Sequence, residues 1–369
     1  MTLAFYAIPA LGQLARAQWV RVYSLWFGGF LVIQAIATLL VVDRDFVTLQ
    51  PGLDSQIDVV GGGLPGIQGL QSITTDSMGF RVTKEIDYRQ KPDGTYRVFA
   101  IGGSTTEQIL LDDRRTWTHL LQKHLVAASV GNDVEVINTG VSGLRSRQHL
   151  ATLKEISAFS PDLVIFLMGI NDWNRHIWSE HGEPEQLVPV PKPYQFSESL
   201  LGMLLRGVQG MLLPPAELGA ITEKGEYYTN QNDSLRRADR RSFEPAQVSA
   251  EYRDAAQEIV AHCGSQEFQC LFVTQPTGYR QDAPEDLKRH FWMTPPNTVY
   301  TLDLPSMVTI AGTYNRFLLK LAADNGHPSC DLASQIESSL NYFYDDCHFN
   351  QQGAREVAMQ LHRCVISAQ

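Results

Sequence analysis

The longest apolar stretch of the chain comes near its start. From Val22 to Val42 no charged residue occurs, and Ser24, Gln34 and Thr38 are the polar interruptions. As a helix this run would be ~31 Å long at ~1.5 Å per residue, against a bilayer core of about 30 Å. The pattern predicts one N-terminal transmembrane helix. A buried core helix is the competing reading, but the run exceeds the usual core-helix length. A cleaved signal peptide is another. Ala35-Ile36-Ala37 has the small-x-small form of a cleavage site, although it sits inside the run and behind a long leader. Arg16 and Arg21 precede the span, and Arg44 follows it between Asp43 and Asp45. The positive-inside rule then favours a cytoplasmic N-terminus and an extracytoplasmic remainder. Residues 1–20 read as an interfacial helix or an unstructured leader.

The pattern changes after the span. Residues 46–75 are rich in Gly, Pro, Asp and Gln, and Gly61-Gly62-Gly63-Leu64-Pro65-Gly66 continues neither helix nor strand. They are expected to be a linker, with the folded domain opening at Asp76-Ser77-Met78-Gly79-Phe80-Arg81. From there β-rich runs alternate with helical spacing. Strands are expected at 96–101, 134–137, 162–168 and 269–274. Helices are expected at 117–126, 149–159, 248–262, 308–323 and 353–362. Asp162 to Met168 is almost continuously apolar, as in a strand covered on both faces. Such alternation argues a parallel sheet with helices on both faces. Residues 173–246 break the rhythm with prolines, polar residues and no clear strand. Leu200, Leu201, Leu204, Leu205, Met211, Leu212 and Leu213 form an apolar patch within them. This insertion reads either as a lid or membrane-touching element, or as a helix packed on the domain's own core.

The expected organisation is therefore a leader and transmembrane helix over 1–45, a linker over 46–75, and one domain over 76–369 with an insertion at about 173–246.

Composition adds limits. The 369 residues are 44% hydrophobic and 19% charged, enough apolar content to fold most of the chain. The formal charge is −10 with no basic block, which excludes a nucleic-acid footprint. All five cysteines (263, 270, 330, 347 and 364) follow the span, where an oxidising compartment permits disulfides. An odd count leaves at least one thiol unpaired in a monomer. Cys263 with Cys270 is the first pair to expect. Five plain buried thiols are the alternative.

The strand ends carry the candidate chemistry, because open parallel sheets bind ligands beyond the carboxyl ends of their strands. The first end is Gly102-Gly103-Ser104-Thr105-Thr106. Ser104 there begins a helix with backbone N–H groups nearby, although such a serine is often only an N-cap. The second is Asn138-Thr139-Gly140-Val141-Ser142-Gly143, whose Gly143, or Gly140, presents a bare N–H. The third is Gly169-Ile170-Asn171-Asp172, with an amide donor at Asn171; an Asx-turn is the plainer reading. The last is Asp345-Asp346-Cys347-His348. A carboxylate three residues before an imidazole orients it by one ring nitrogen and leaves the other to take a proton from a hydroxyl. His119, His149 and His176 lack ligand spacing, so no metal and no cofactor is expected. Trp173, Arg175, Trp178 and Thr274-Gln275-Pro276-Thr277 are candidate pocket residues, or loop packing.

Each signal is weak alone, but together and in this order they resemble the SGNH (GDSL-like) hydrolases over roughly residues 76–365. The resemblance implies a flavodoxin-like three-layer α/β/α fold. It implies Ser104 as nucleophile, Asp345 and His348 as its triad partners, and an oxyanion hole from Ser104, Gly143 and Asn171. Asp346 competes with Asp345, which the family spacing favours. Asp76 to Arg81 also looks like the entry segment of bacterial membrane-linked members. The name motif Gly-Asp-Ser-Leu reads Gly-Gly-Ser-Thr here. The implied activity is a serine esterase acting on O-acyl groups, O-acetyl above all, of a carbohydrate or lipid outside the cytoplasm. An O-acyltransferase on an exported polysaccharide and a non-catalytic subunit of a membrane complex are the alternatives. The implied partners are the acylated substrate, the membrane through residues 22–42, and membrane-protein partners.

Overall fold

The computed structural model describes residues 21, 23–30, 45–59, 64–128, 133–181, 194, 195, 239–291 and 300–368. The chain divides into two compact units, residues 1–44 with 196–214 and residues 45–195 with 215–369. In the first, residues 23–30 are helical. The rest of the apolar run at 22–42 and the leucine patch at 200–213 lie outside the described residues. Among the described residues no helix is long and apolar enough to cross a membrane.

Near its start the second unit carries a hairpin, β1 (Asp54–Val59) and β2 (Gly69–Thr74), paired antiparallel from Asp54 opposite Thr74 to Val59 opposite Gly69. This corrects the linker expected over 46–75. Along β1 burial alternates strictly, with Ser55, Ile57 and Val59 inward and Asp54, Gln56 and Asp58 outward. Ile57, Val59, Leu64, Ile67 and Ile73 then join the main hydrophobic core. Leu64, Pro65 and Gly66 lie between the two strands, and residues 60–63 lie outside the described residues.

Five parallel strands follow: β3 (Thr95–Gly102), β4 (Asp133–Asn138), β5 (Leu163–Leu167), β6 (Gln269–Val273) and β7 (Ser329–Cys330). Their order across the sheet is β7-β6-β5-β3-β4. This is the 2-1-3-4-5 order of flavodoxin-like sheets, and it places the topological switch between β3 and β5. The helices that follow these strands include α1 (Ser104–Glu107), α2 (Trp117–Ala127), α3 (Ser146–Ile156), α4 (Ile170–His181), α5 (Ala250–Gly264), α6 (Leu304–Asp324) and α7 (Gln351–Ala368).

The two-residue period of the strands sorts their side chains to two faces. Val98, Ala100, Val134, Val136, Leu163, Ile165, Leu167, Leu271 and Val273 face α2 and α7, whose Trp117, Leu121, Leu125, Val357, Leu361 and Val365 complete one core. Phe99, Ile101, Val164, Phe166 and Phe272 are buried on the other side, where Phe166 and Phe272 stack at 5.2 Å. At ~1.5–3 kcal/mol for each large apolar side chain buried, these two faces dominate the stability of the unit.

The insertion is corrected in part. Its first residues continue α4. Tyr194–Gln195 pairs antiparallel with Val47–Thr48, and Asp239–Arg241 pairs parallel with Tyr300–Leu302. Residues 182–193 and 196–238 lie outside the described residues. Cys263 is bonded to Cys270 and Cys330 to Cys364, while Cys347 is buried and outside both disulfides.

Candidate active site

The first strand end is shaped by close approach. A Cβ on Gly102 would lie 2.2 Å from Thr106 Oγ1 and 2.6 Å from the Leu167 carbonyl oxygen, so β3 meets α1 and β5 too closely for any other residue. The chain then turns directly into α1, with Ser104 as its first residue and its side chain half-buried. Arg81 fixes this short helix from behind. Its guanidinium donates to the carbonyl oxygens of Glu107 at 2.6 Å and Gln108 at 2.8 Å, and pairs with Asp113 at 2.7 Å.

Ser104, His348 and Asp345 form one hydrogen-bonded chain. Asp345 Oδ1 accepts from the backbone N–H groups of Cys347 at 2.9 Å and His348 at 2.7 Å. Its Oδ2 lies 2.7 Å from His348 Nδ1. A carboxylate only accepts, so Nδ1 carries the proton and donates. Nε2 is then the acceptor, and the Ser104 hydroxyl donates to it at 2.7 Å. The imidazole also stacks on Tyr344, with ring centroids 5.5 Å apart and planes 7° apart. Burial disfavours the charged form of His348. The charge and hydrogen bond of the adjacent Asp345 carboxylate, with the charges of Asp346 and Glu107, together outweigh this and lift the imidazole above its ordinary 6.5.

Asp346 is engaged elsewhere. Its carboxylate accepts from the Tyr279 hydroxyl, and its carbonyl oxygen accepts from Gly278 N–H at 2.7 Å. The geometry thus pairs His348 with Asp345, the partner favoured by spacing. Asp345, Cys347 and His348 bring possible metal-ligating atoms within 4.8 Å of one another, the one such group among the described residues. Both imidazole nitrogens are already engaged, by Asp345 and Ser104, so a metal there would displace the proton path.

The second and third strand ends meet beside Ser104. Asn171 Nδ2 donates to the Leu144 carbonyl oxygen at 2.8 Å and keeps a second N–H. The same Nδ2 would be 2.5 Å from a Cβ on Gly103, so it occupies the space a side chain before Ser104 would need. Gly143 is exposed at φ +81°, at the tip of a turn closed by Leu144 N–H donating to the Val141 carbonyl oxygen. Its own N–H has no acceptor among the described residues. Gly140 differs, since its N–H donates to Asn138 Oδ1 at 2.9 Å and a Cβ there would lie 2.4 Å from Glu107 N. Gly143 is therefore the glycine with a donor to offer.

Two side chains not singled out in the sequence also reach this turn. Glu107 Oε2 accepts from Ser142 N–H at 2.7 Å and from the Ser142 hydroxyl. Asp172 accepts from Ser146 N–H at 3.1 Å and from its hydroxyl at 2.6 Å. The Ser-x-x-Glu spacing of 104–107 signals a capping box, yet this carboxylate bonds across to another loop. Of the candidate pocket residues, Trp173 and Trp178 are only 0% and 6% exposed and belong to the core. Thr274 is buried as well and donates to Asp331.

The profile of the GDSL-like Lipase/Acylhydrolase family matches residues 100–356. The chain is similar to the acetyl xylan esterase AlAXEase, with 16% identity over 73% of this chain and 99% of that one and a TM-score of 0.42. It is similar to TesA, with 14% identity over 74% of this chain and 99% of that one, TM-score 0.42. It is also similar to the acetylxylan esterase Axe2 from Geobacillus stearothermophilus, with 14% identity over 74% of this chain and 93% of that one, TM-score 0.39. Among curated proteins none matches. Because the matched span covers most of the folded unit and includes Ser104, Gly143, Asn171, Asp345 and His348, the chain belongs to the GDSL-like lipase/acylhydrolase family and is an enzyme of the SGNH hydrolase kind.

Proposed function

We propose that this chain is a serine esterase that removes O-acyl groups, O-acetyl in particular, from a carbohydrate or lipid outside the cytoplasm. The observation that carries this reading is the unbroken chain from Ser104 through His348 to Asp345, at 2.7 Å on either side of the imidazole.

In this reading Ser104 Oγ attacks the ester carbonyl while His348 Nε2 takes its proton. The carbonyl oxygen becomes an oxyanion that accepts from the N–H groups of Ser104 and Gly143 and from the second N–H of Asn171. His348 then protonates the departing alcohol oxygen, the ester C–O bond breaks, and an acyl-serine remains. Water then attacks the acyl carbon as His348 takes its proton, the bond to Ser104 Oγ breaks, and His348 returns the proton to that oxygen, which frees the serine and the carboxylic acid. Asp345 holds Nδ1–H throughout and stabilises the imidazolium. Each oxyanion donor is worth about 10²–10³ in rate.

Anchoring through residues 22–42 belongs to the same proposal. Within that run Tyr23, Leu25, Trp26 and Phe27 are 65%, 76%, 76% and 64% exposed on a helix, an apolar surface of the kind lipid covers. The two disulfides suit an oxidising compartment.

The test is hydrolysis of p-nitrophenyl acetate and of a longer-chain p-nitrophenyl ester by the full chain in detergent, beside Ser104→Ala. Acetate turnover that disappears in the variant supports the proposal. A preference for the longer ester moves the substrate to lipid. Turnover that survives in Ser104→Ala contradicts the assignment of the nucleophile.

A further inference from the structure

The loop that carries Gly143 is held at alternate residues by groups from two other strand ends. Ser142 is bonded by Glu107, the Leu144 carbonyl oxygen by Asn171, and Ser146 by Asp172. Of these, Glu107 stands nearest Ser104 in the chain. It is the last residue of α1, its side chain is buried, and its residue as a whole is 2% exposed. A carboxylate in such a place needs donors for its lone pairs. Ser142 supplies two of them to one oxygen, its backbone N–H and its hydroxyl. The adjoining residue Gly143 has open space at its Cβ position, so no side-chain packing there holds it. Its N–H is aimed by the turn, which Glu107 holds at Ser142 on one side of Gly143 and Asn171 holds at Leu144 on the other.

We propose that Glu107 is a positioning residue that sets the Gly143 N–H toward the acyl oxygen by clamping Ser142 onto the helix that bears Ser104. This rests on the esterase reading above and adds to it a second carboxylate, which touches neither substrate nor imidazole proton. Nucleophile and oxyanion donor would then move as one body, because α1 holds both. Misplacement of such a donor by about 1 Å costs on the order of 10²-fold, and its complete loss costs about 10²–10³.

The experiment uses the full chain with p-nitrophenyl acetate as probe. It compares Glu107→Ala, Glu107→Gln, Ser142→Ala and Glu107→Ala/Ser142→Ala with wild type and Ser104→Ala. Glu107→Ala is expected to lose about 10–10² in kcat with KM within about twofold, the signature of an interaction made in the transition state. Glu107→Gln keeps an acceptor for Ser142 and is expected to recover most of that loss. The double variant is expected to be no worse than Glu107→Ala, since both changes cut the same contact. Should Glu107→Ala fail to fold, Ser142→Ala decides, with a several-fold loss in kcat expected and little change in KM. Wild-type kcat in Glu107→Ala, or in Ser142→Ala where that variant decides, overturns the proposal. So does a Glu107→Gln as poor as Glu107→Ala, or losses that multiply in the double variant. If wild-type turnover does not depend on Ser104, the esterase reading falls and this proposal falls with it. If turnover depends on Ser104 but not on Glu107, this proposal falls alone.

Discussion

Gly103 marks where this chain departs from the name motif of its family, and the structure gives that departure a consequence. A Cβ at position 103 would sit 2.5 Å from Asn171 Nδ2 and 3.6 Å from the Leu144 carbonyl oxygen. Real Cβ atoms do not tolerate the first distance, so in Gly103→Ala the Asn171 amide must swing away. It would lose its 2.8 Å bond to Leu144, worth about 1 kcal/mol of stability. It would also leave the position from which its second N–H meets the oxyanion, at a cost of about 10²–10³ in kcat, or ~2.7–4 kcal/mol in the barrier. The folded state survives such a change, because the atom that shifts is the end of a side chain. The assay is kcat and KM on p-nitrophenyl acetate for Gly103→Ala, Asn171→Ala and the double variant, with a urea midpoint for each. The two single variants are expected to lose kcat to a similar extent, and the double variant to be no worse than either. Wild-type kcat in Gly103→Ala, or losses that multiply, would refute the assignment of Asn171 as a donor kept in place by the missing side chain.

Two further expectations concern protons. His348 must be neutral to accept from Ser104, and the Asp345 carboxylate, with the charges of Asp346 and Glu107, holds its pKa above the ordinary 6.5 against the opposing effect of burial. kcat/KM is therefore expected to fall as pH drops through a midpoint above 6.5; Asp345→Asn should lower both the rate and that midpoint, and an unchanged midpoint would contradict the pairing. Burial pushes the Asp172 carboxyl up to about 7, against the bonds it accepts from Ser146. A folded pKa above the unfolded value means stability that is complete below about pH 4 and declines as pH rises toward about 7, by ~4 kcal/mol at most. Asp172→Asn removes this slope, which urea midpoints at acid and neutral pH would reveal; a slope equal to that of wild type would count against it.

The strand ends were legible because each is a short apolar run closed by glycine or by Asn. Phe99-Ala100-Ile101-Gly102-Gly103 and Phe166-Leu167-Met168-Gly169 say both where the sheet lies and where it stops. The hairpin at 54–74 was hidden by the composition between its strands. Asp54-Ser55-Gln56-Ile57-Asp58-Val59 has the two-residue period of a strand, but only Ile57 and Val59 of its inward set are apolar. The neighbouring glycines and Pro65 outweighed that signal. The roles of Gly140 and Asp346 needed coordinates, since spacing alone cannot say which glycine has its N–H occupied or which carboxylate turns to Tyr279. Glu107 and Asp172 were unreadable for the same reason. Each bonds a serine 35 or 26 positions away in sequence, and no local pattern records such a contact.

The central claim is that Ser104 is the nucleophile, activated by His348. The most direct measurement is peptide mapping by mass spectrometry after the full chain reacts with a fluorophosphonate. One adduct is expected, on the peptide bearing Ser104, absent in Ser104→Ala and formed far more slowly in His348→Ala. An unlabelled wild-type chain, or an adduct that maps to another serine, would contradict the account.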